Sequence, residues 1–104
     1  MVTKENITGK QRAYLRSLAN KVPAIFQIGK EGISDNLIKQ LSDALTAREL
    51  IKIHVLENCE LTAREASDEL SDVLGAIPVQ TIGSKVVLYR QSDDEKKRTI
   101  VIKK

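Results

Sequence analysis

The chain contains no tryptophan, and Tyr14, Phe26 and Tyr89 are its only aromatic residues. Phe26 sits in an apolar run that belongs in a core, so few rings remain for stacking bases as RRM and OB folds do on single strands. There is one cysteine, Cys59. It permits no internal disulfide and fits a reducing compartment, so a cytoplasmic location is expected. There is also one histidine, His54. A zinc site needs about four ligands, which this Cys and His count cannot supply. His54 and Cys59 lie near one strand end, but no third group is placed to orient a dyad. Walker and dinucleotide fingerprints are missing. These gaps argue against an enzyme and against any cofactor. No apolar run approaches the ~18–20 residues that span a bilayer, and no apolar segment near the N-terminus resembles a leader. No membrane or small-molecule partner is expected.

What is present describes one ordinary globular domain. The 104 residues are 41% hydrophobic and 30% charged, enough to build a modest core without staples. The net charge of +3 is mild, but it is unevenly placed. Residues 1–30 carry Lys4, Lys10, Arg12, Arg16, Lys21 and Lys30 against Glu5 alone. Residues 57–75 carry Glu57, Glu60, Glu65, Asp68, Glu69 and Asp72 against Arg64 alone. A chain polarised in this way offers one surface to polyanions and a different one to water or to a basic partner.

Thr8 and Gln11 have capping-box spacing, and Leu15, Leu18, Ala19 and Val22 follow as an apolar stripe. They predict a first helix reaching about Asn20, with Arg12 and Arg16 on a face away from the stripe. Pro23 ends it. Residues 24–28 read as a strand, and Ser34 caps a second helix over Asp35–Arg48. In Leu50–Leu56, Ile51, Ile53 and Val55 alternate with Lys52 and His54, as in a strand with one covered and one open face. Thr62 and Glu65 cap a third helix with Ala66, Leu70, Val73 and Leu74 inward and its acids outward. Gly75 closes it. Residues 77–82 and 85–90 form a hairpin about Gly83-Ser84, and Pro78 confines the N-terminal end of the former to an edge or to the strand start. Gln91–Arg98 holds no apolar residue and reads as an exposed tail or loop, with Thr99–Ile102 as an added edge strand. The expected fold is α/β (α+β, two layers), α-β-α-β-α-β-β on a mixed four-stranded sheet. Residues 1–90 form the domain and 91–104 a charged tail.

Between the first strand and the second helix stands Gly29-Lys30-Glu31-Gly32. Glycines at both ends free the backbone, and the amides of the turn and of the following helix start present partial positive charge. Lys30 adds a full one. GxxG loops of KH domains clamp nucleic-acid backbone in this way. Glu31 sets a negative charge beside Lys30.

The order of elements, with Leu15–Ala19, Ile28–Ser34, Arg48–Lys52 and Gly83–Arg90, resembles the CRM domain. This is the chloroplast RNA splicing and ribosome maturation fold, whose bacterial members are single-domain YhbY-type proteins. The resemblance covers residues 8–90 and implies similarity in fold to the C-terminal domain of translation initiation factor three. It also implies binding to structured RNA and association with precursors of the large ribosomal subunit. Carried over by position, it places RNA contacts at Gly29, Lys30, Glu31 and Gly32 and along the basic first helix at Lys10, Arg12 and Arg16. Lys52, Lys85 and Arg90 join them on charge and on their places in the strands.

The expected function is therefore RNA binding by a monomer, through contacts to phosphates and sugar hydroxyls. The alternative is a protein-interaction module that docks a basic, ribosomal protein on the acidic third helix. Strands between every pair of helices argue against a DNA-binding helix-turn-helix.

Overall fold

The computed structural model describes residues 3–98 and 100. Its elements are α1 (Gly9–Ala19), β1 (Ala24–Ile28), α2 (Asp35–Arg48), β2 (Leu50–Val55), α3 (Ala63–Leu74), β3 (Ile77–Ile82) and β4 (Lys85–Tyr89), followed by a 3₁₀ turn at Glu95–Lys97. The strands form one mixed sheet in the order β1-β2-β4-β3. β1 runs parallel to β2, and β4 is antiparallel to both β2 and β3. Pro78 thus lies on an edge strand, where its missing N–H costs no ladder bond on the open side.

The helix starts follow from their caps. Thr8 and Thr62 each accept from the N3 amide while Gln11 and Glu65 reach back, and Ser34 accepts from the Leu37 amide at 3.1 Å. Hydrogen bonds from Thr62 hold the Glu65 carboxyl below its ordinary range. Gly75 ends α3 in the left-handed conformation.

Strand alternation divides the core in two. Ile51, Ile53 and Val55 of β2 and Val86 and Leu88 of β4 face α2 and α3, meeting Leu41, Leu45, Ala66 and Leu70. Leu50, Val87 and Tyr89 face the other way and meet Leu15 and Ala19 of α1, with Ile77 and Val79. The second face of the sheet is therefore not open throughout. α1 covers one end of it, and the end carrying His54 and Lys85 lies beyond the residues that α1 packs against.

Two expectations about burial change. Val73 is 53% exposed. The stripe that α3 buries is Ala63, Ala66, Ser67, Leu70, Ser71 and Leu74, and Val73 lies about 90° round the helix from its centre. Small serines occupy inward positions, which lets the helix approach the sheet closely.

The segment after β4 is not simply an exposed tail. Residues 93–98 are exposed, but Ser92 is fully buried. Its amide donates to Glu49 Oε2 at 2.8 Å and its hydroxyl donates to the Thr46 carbonyl. Ile100 packs against the α1 core. Apart from Ile100, the edge strand expected at residues 99–102 lies outside the described residues.

Candidate nucleic-acid interface

The Gly29–Gly32 loop is a closed turn. The Gly32 amide donates to the Gly29 carbonyl at 3.0 Å, which leaves Lys30 and Glu31 at the exposed tip. The base of the loop is pinned by the Leu56 amide, which donates to the Ile28 carbonyl at 2.9 Å. The two glycines are not equivalent. Gly32 has φ +67°, a conformation that L side chains rarely adopt. Gly29 has no such φ, and a Cβ there would meet Asn58 and Leu56 at ordinary contact distance. Only Gly32 needs to be glycine on conformational grounds.

A concavity of about 560 Å³ lies against this loop, lined by Gln27, the four loop residues, Ser34, Asn36, Leu37 and Gln40. Its walls are amides, a hydroxyl, backbone and Leu37, with one cation and one anion. Such a lining offers donors to phosphate oxygens and to sugar hydroxyls.

The basic residues of α1 form a separate patch. Lys10 is exposed, while Arg12 and Arg16 are half-buried. The two arginines do not face away from the apolar stripe as expected. They flank the buried positions Gln11 and Leu15, one residue further round the helix. α1 packs over Leu50, Ile77, Val79, Val87 and Tyr89, whereas the glycine loop follows the last residue of β1, a strand of five residues at the sheet edge.

Between them the open part of the sheet contributes Lys52 and Lys85. His54 pairs across the sheet with Lys85, and Lys52 follows two residues along β2 on the same face. Loop, open sheet and α1 thus succeed one another along one side of the molecule. Among the described residues, Lys10, Arg12, Arg16, Lys30, Lys52 and Lys85 make no ion pair or side-chain hydrogen bond.

Arg90 does not belong with them. Its guanidinium donates to the Leu74 carbonyl at 2.9 Å, to the Ser42 carbonyl at 2.8 Å, and to the hydroxyls of Ser42 and Thr46. It ties the end of β4 to both α2 and α3, and a planar fork so engaged has little left for a ligand. Lys4 is also committed, to Asp72 at 2.8 Å. That pair raises the pKa of Lys4, through the hydrogen bond and the Asp72 charge.

Sequence reasoning gave no role to Glu49, which lies within a stretch that carried the resemblance. It is fully buried and has φ +67°, and its carboxylate accepts from the Ser92 and Ile100 amides. Nothing in its local sequence announces this. Among the described residues, no group of His, Cys, Asp and Glu is placed to hold a metal ion, and no helix is long and apolar enough to cross a membrane.

Three helices about a mixed four-stranded sheet, with a glycine-bounded turn between β1 and α2, are the features of a known class. The CRS1/YhbY (CRM) domain matches residues 7–90, and the chain belongs to that family. It is 48% identical over 90 residues to a Bacillus subtilis protein named "Probable RNA-binding protein YqeI", covering 86% of this chain and 94% of that one. It is 30% identical over 90 residues to a Haemophilus influenzae protein named "RNA-binding protein", covering 86% and 91%. Among solved structures it is similar to the hypothetical protein SAV1595 of Staphylococcus aureus, with a TM-score of 0.73 and 48% identity over 91% of this chain and 99% of that one.

Proposed function

We propose that this protein binds structured RNA through its backbone, with the Gly29–Gly32 loop and the basic residues of α1 as principal contacts. The observation that carries the reading is the loop itself. A hydrogen-bonded turn holds Lys30 at an exposed tip beside a polar concavity of about 560 Å³. Turn amides and the start of α2 add partial positive charge, which suits a phosphate chain. Lys52 and Lys85 extend the cationic surface towards α1. Relatives named as RNA-binding support the choice of RNA among polyanions. The family likeness further supports a role on precursors of the large ribosomal subunit, in the cytoplasm, by a monomer without catalytic activity.

The alternative, docking of a basic protein on α3, has less to draw on. Asp72 is ion-paired to Lys4, and Glu65 closes the helix cap, so Asp68 and Glu69 remain.

The test is binding of a labelled RNA stem–loop as a function of salt. The wild type should lose affinity steeply as salt rises, through counterion release. The combined Arg12→Ala, Arg16→Ala and Lys30→Ala variant should bind weakly and with a shallower slope. Unchanged affinity in that folded variant overturns the reading. Sedimentation of the tagged protein with large-subunit precursors, lost on RNase treatment or with Lys30→Glu, tests the ribosomal part.

A further inference from the structure

The part of the sheet that α1 leaves uncovered carries one continuous row of side chains. Gln27 pairs with His54, His54 with Lys85, and Lys85 with Ile82, so a single rung crosses all four strands. At about 4.8 Å between neighbouring strands, the row is about 14 Å wide. Lys52 stands on the same face two residues from His54.

The row is polar and cationic over its first three strands. Among the described residues, Gln27, Lys52, His54 and Lys85 make no side-chain hydrogen bond or ion pair. Ile82 at the far edge is 60% exposed. His54 is half-buried and supplies a flat ring where the chain has no aromatic residue to offer.

We propose that this uncovered half-sheet seats one unpaired nucleotide of the bound RNA. The base stacks on the His54 imidazole, and Lys52 and Lys85 hold the phosphates on either side of it. An imidazole is among the rings on which unpaired bases stack, whatever the base. Lys85 lies directly across the strand from the ring and Lys52 one pleat along, so cations flank it in two directions. Gln27, on the other side, carries both donor and acceptor for a base edge. A protein partner fits the row less well, because interface centres are apolar and poor in charge. Here the two cations and His54 occupy the middle strands, and the exposed isoleucines, Ile25 and Ile82, lie on the two edge strands.

The seat rests on RNA being the ligand, but it draws on none of the residues of the glycine loop or of α1. It converts a surface that holds backbone into one that distinguishes a stem with a single-stranded end from a closed stem.

The experiment compares a blunt RNA hairpin with the same hairpin carrying a short unpaired overhang, by fluorescence anisotropy at fixed salt. The proteins are the wild type, His54→Ala and His54→Phe, each first shown to be folded by circular dichroism. The wild type should bind the overhang RNA roughly fivefold or more tightly than the blunt one, the low end of what one stacked base contributes. His54→Ala should bind both RNAs with the blunt affinity, and His54→Phe should keep the preference. Equal wild-type affinity for the two RNAs overturns the proposal, and so does a preference that survives His54→Ala. Equal affinity is also the result expected if the face serves a protein partner. Failure of the wild type to bind either RNA overturns the RNA reading itself, and the seat falls with it.

Discussion

The Glu49 carboxylate accepts a hydrogen bond from the Ser92 amide at 2.8 Å, across 43 residues of sequence, and both residues are fully buried. Its other oxygen accepts from the Ile100 amide at 3.1 Å, and the Glu49 carbonyl accepts from the Arg90 amide. One residue, held at φ +67° between α2 and β2, thus fastens the segment after β4 to the body of the domain. A buried carboxylate that satisfies backbone donors in this way is costly to remove, because the donors stay behind unpaired.

Glu49→Ala should therefore destabilise the protein by about 3 kcal/mol, with the loss of two charge-assisted bonds. Glu49→Gly should cost about 1 kcal/mol less than Glu49→Ala, since glycine adopts the left-handed conformation without strain. Urea denaturation of the two variants checks the order. In an ordinary helix or strand, alanine would be the milder change.

Arg90 separates a structural cation from a binding one. Arg90→Lys keeps the charge but cannot reproduce a fork that reaches Leu74, Ser42 and Thr46 together. Stability should fall by about 2 kcal/mol, while RNA affinity of the folded fraction stays near wild type. A large loss of affinity without loss of stability would return Arg90 to the RNA surface.

The two loop glycines should respond differently to alanine. Gly32→Ala strains a backbone at φ +67° and should cost about 1 kcal/mol. Gly29→Ala, with its nearest neighbours at 3.5 and 3.6 Å, should leave stability almost unchanged. Thermal unfolding of both variants, read as a difference in midpoint, decides this.

Tyr89 makes stability sensitive to alkali. Burial pushes its hydroxyl up to about 12, with the Glu49 charge adding and Arg98 opposing. The unfolded chain releases this proton from about pH 10, whereas the folded chain holds it until about 12. The contribution is complete below pH 10 and is lost as pH rises towards 12, by about 2–3 kcal/mol. Tyr89→Phe should flatten that part of the stability profile relative to wild type. Equal slopes in the two proteins would show that the hydroxyl is not held in this way.

Much of the architecture was legible locally. Thr8 with Gln11, Ser34, and Thr62 with Glu65 each mark a helix start within four residues, and the alternation of Ile51, Ile53 and Val55 marks a strand. Gly83-Ser84 turns β3 into β4. Caps, periods and turns act between near neighbours, so the sequence states them directly. The glycine loop and its lysine were visible for the same reason. Val73 misled because the helical period alone does not say which side of the stripe meets the sheet.

The sequence by itself determined the order of the elements, the charge asymmetry and the turn that carries Lys30. Tertiary structure decided which charges are free to act. Arg90 and Lys4 look like their exposed counterparts in the sequence, yet one is bound to two helices and the other to Asp72. It decided that Glu49 grips Ser92, and that Gln27, His54 and Lys85 stand side by side on the part of a sheet that α1 does not reach. These facts depend on partners tens of residues away. Only the packed chain brings them within reach, and no local preference encodes them.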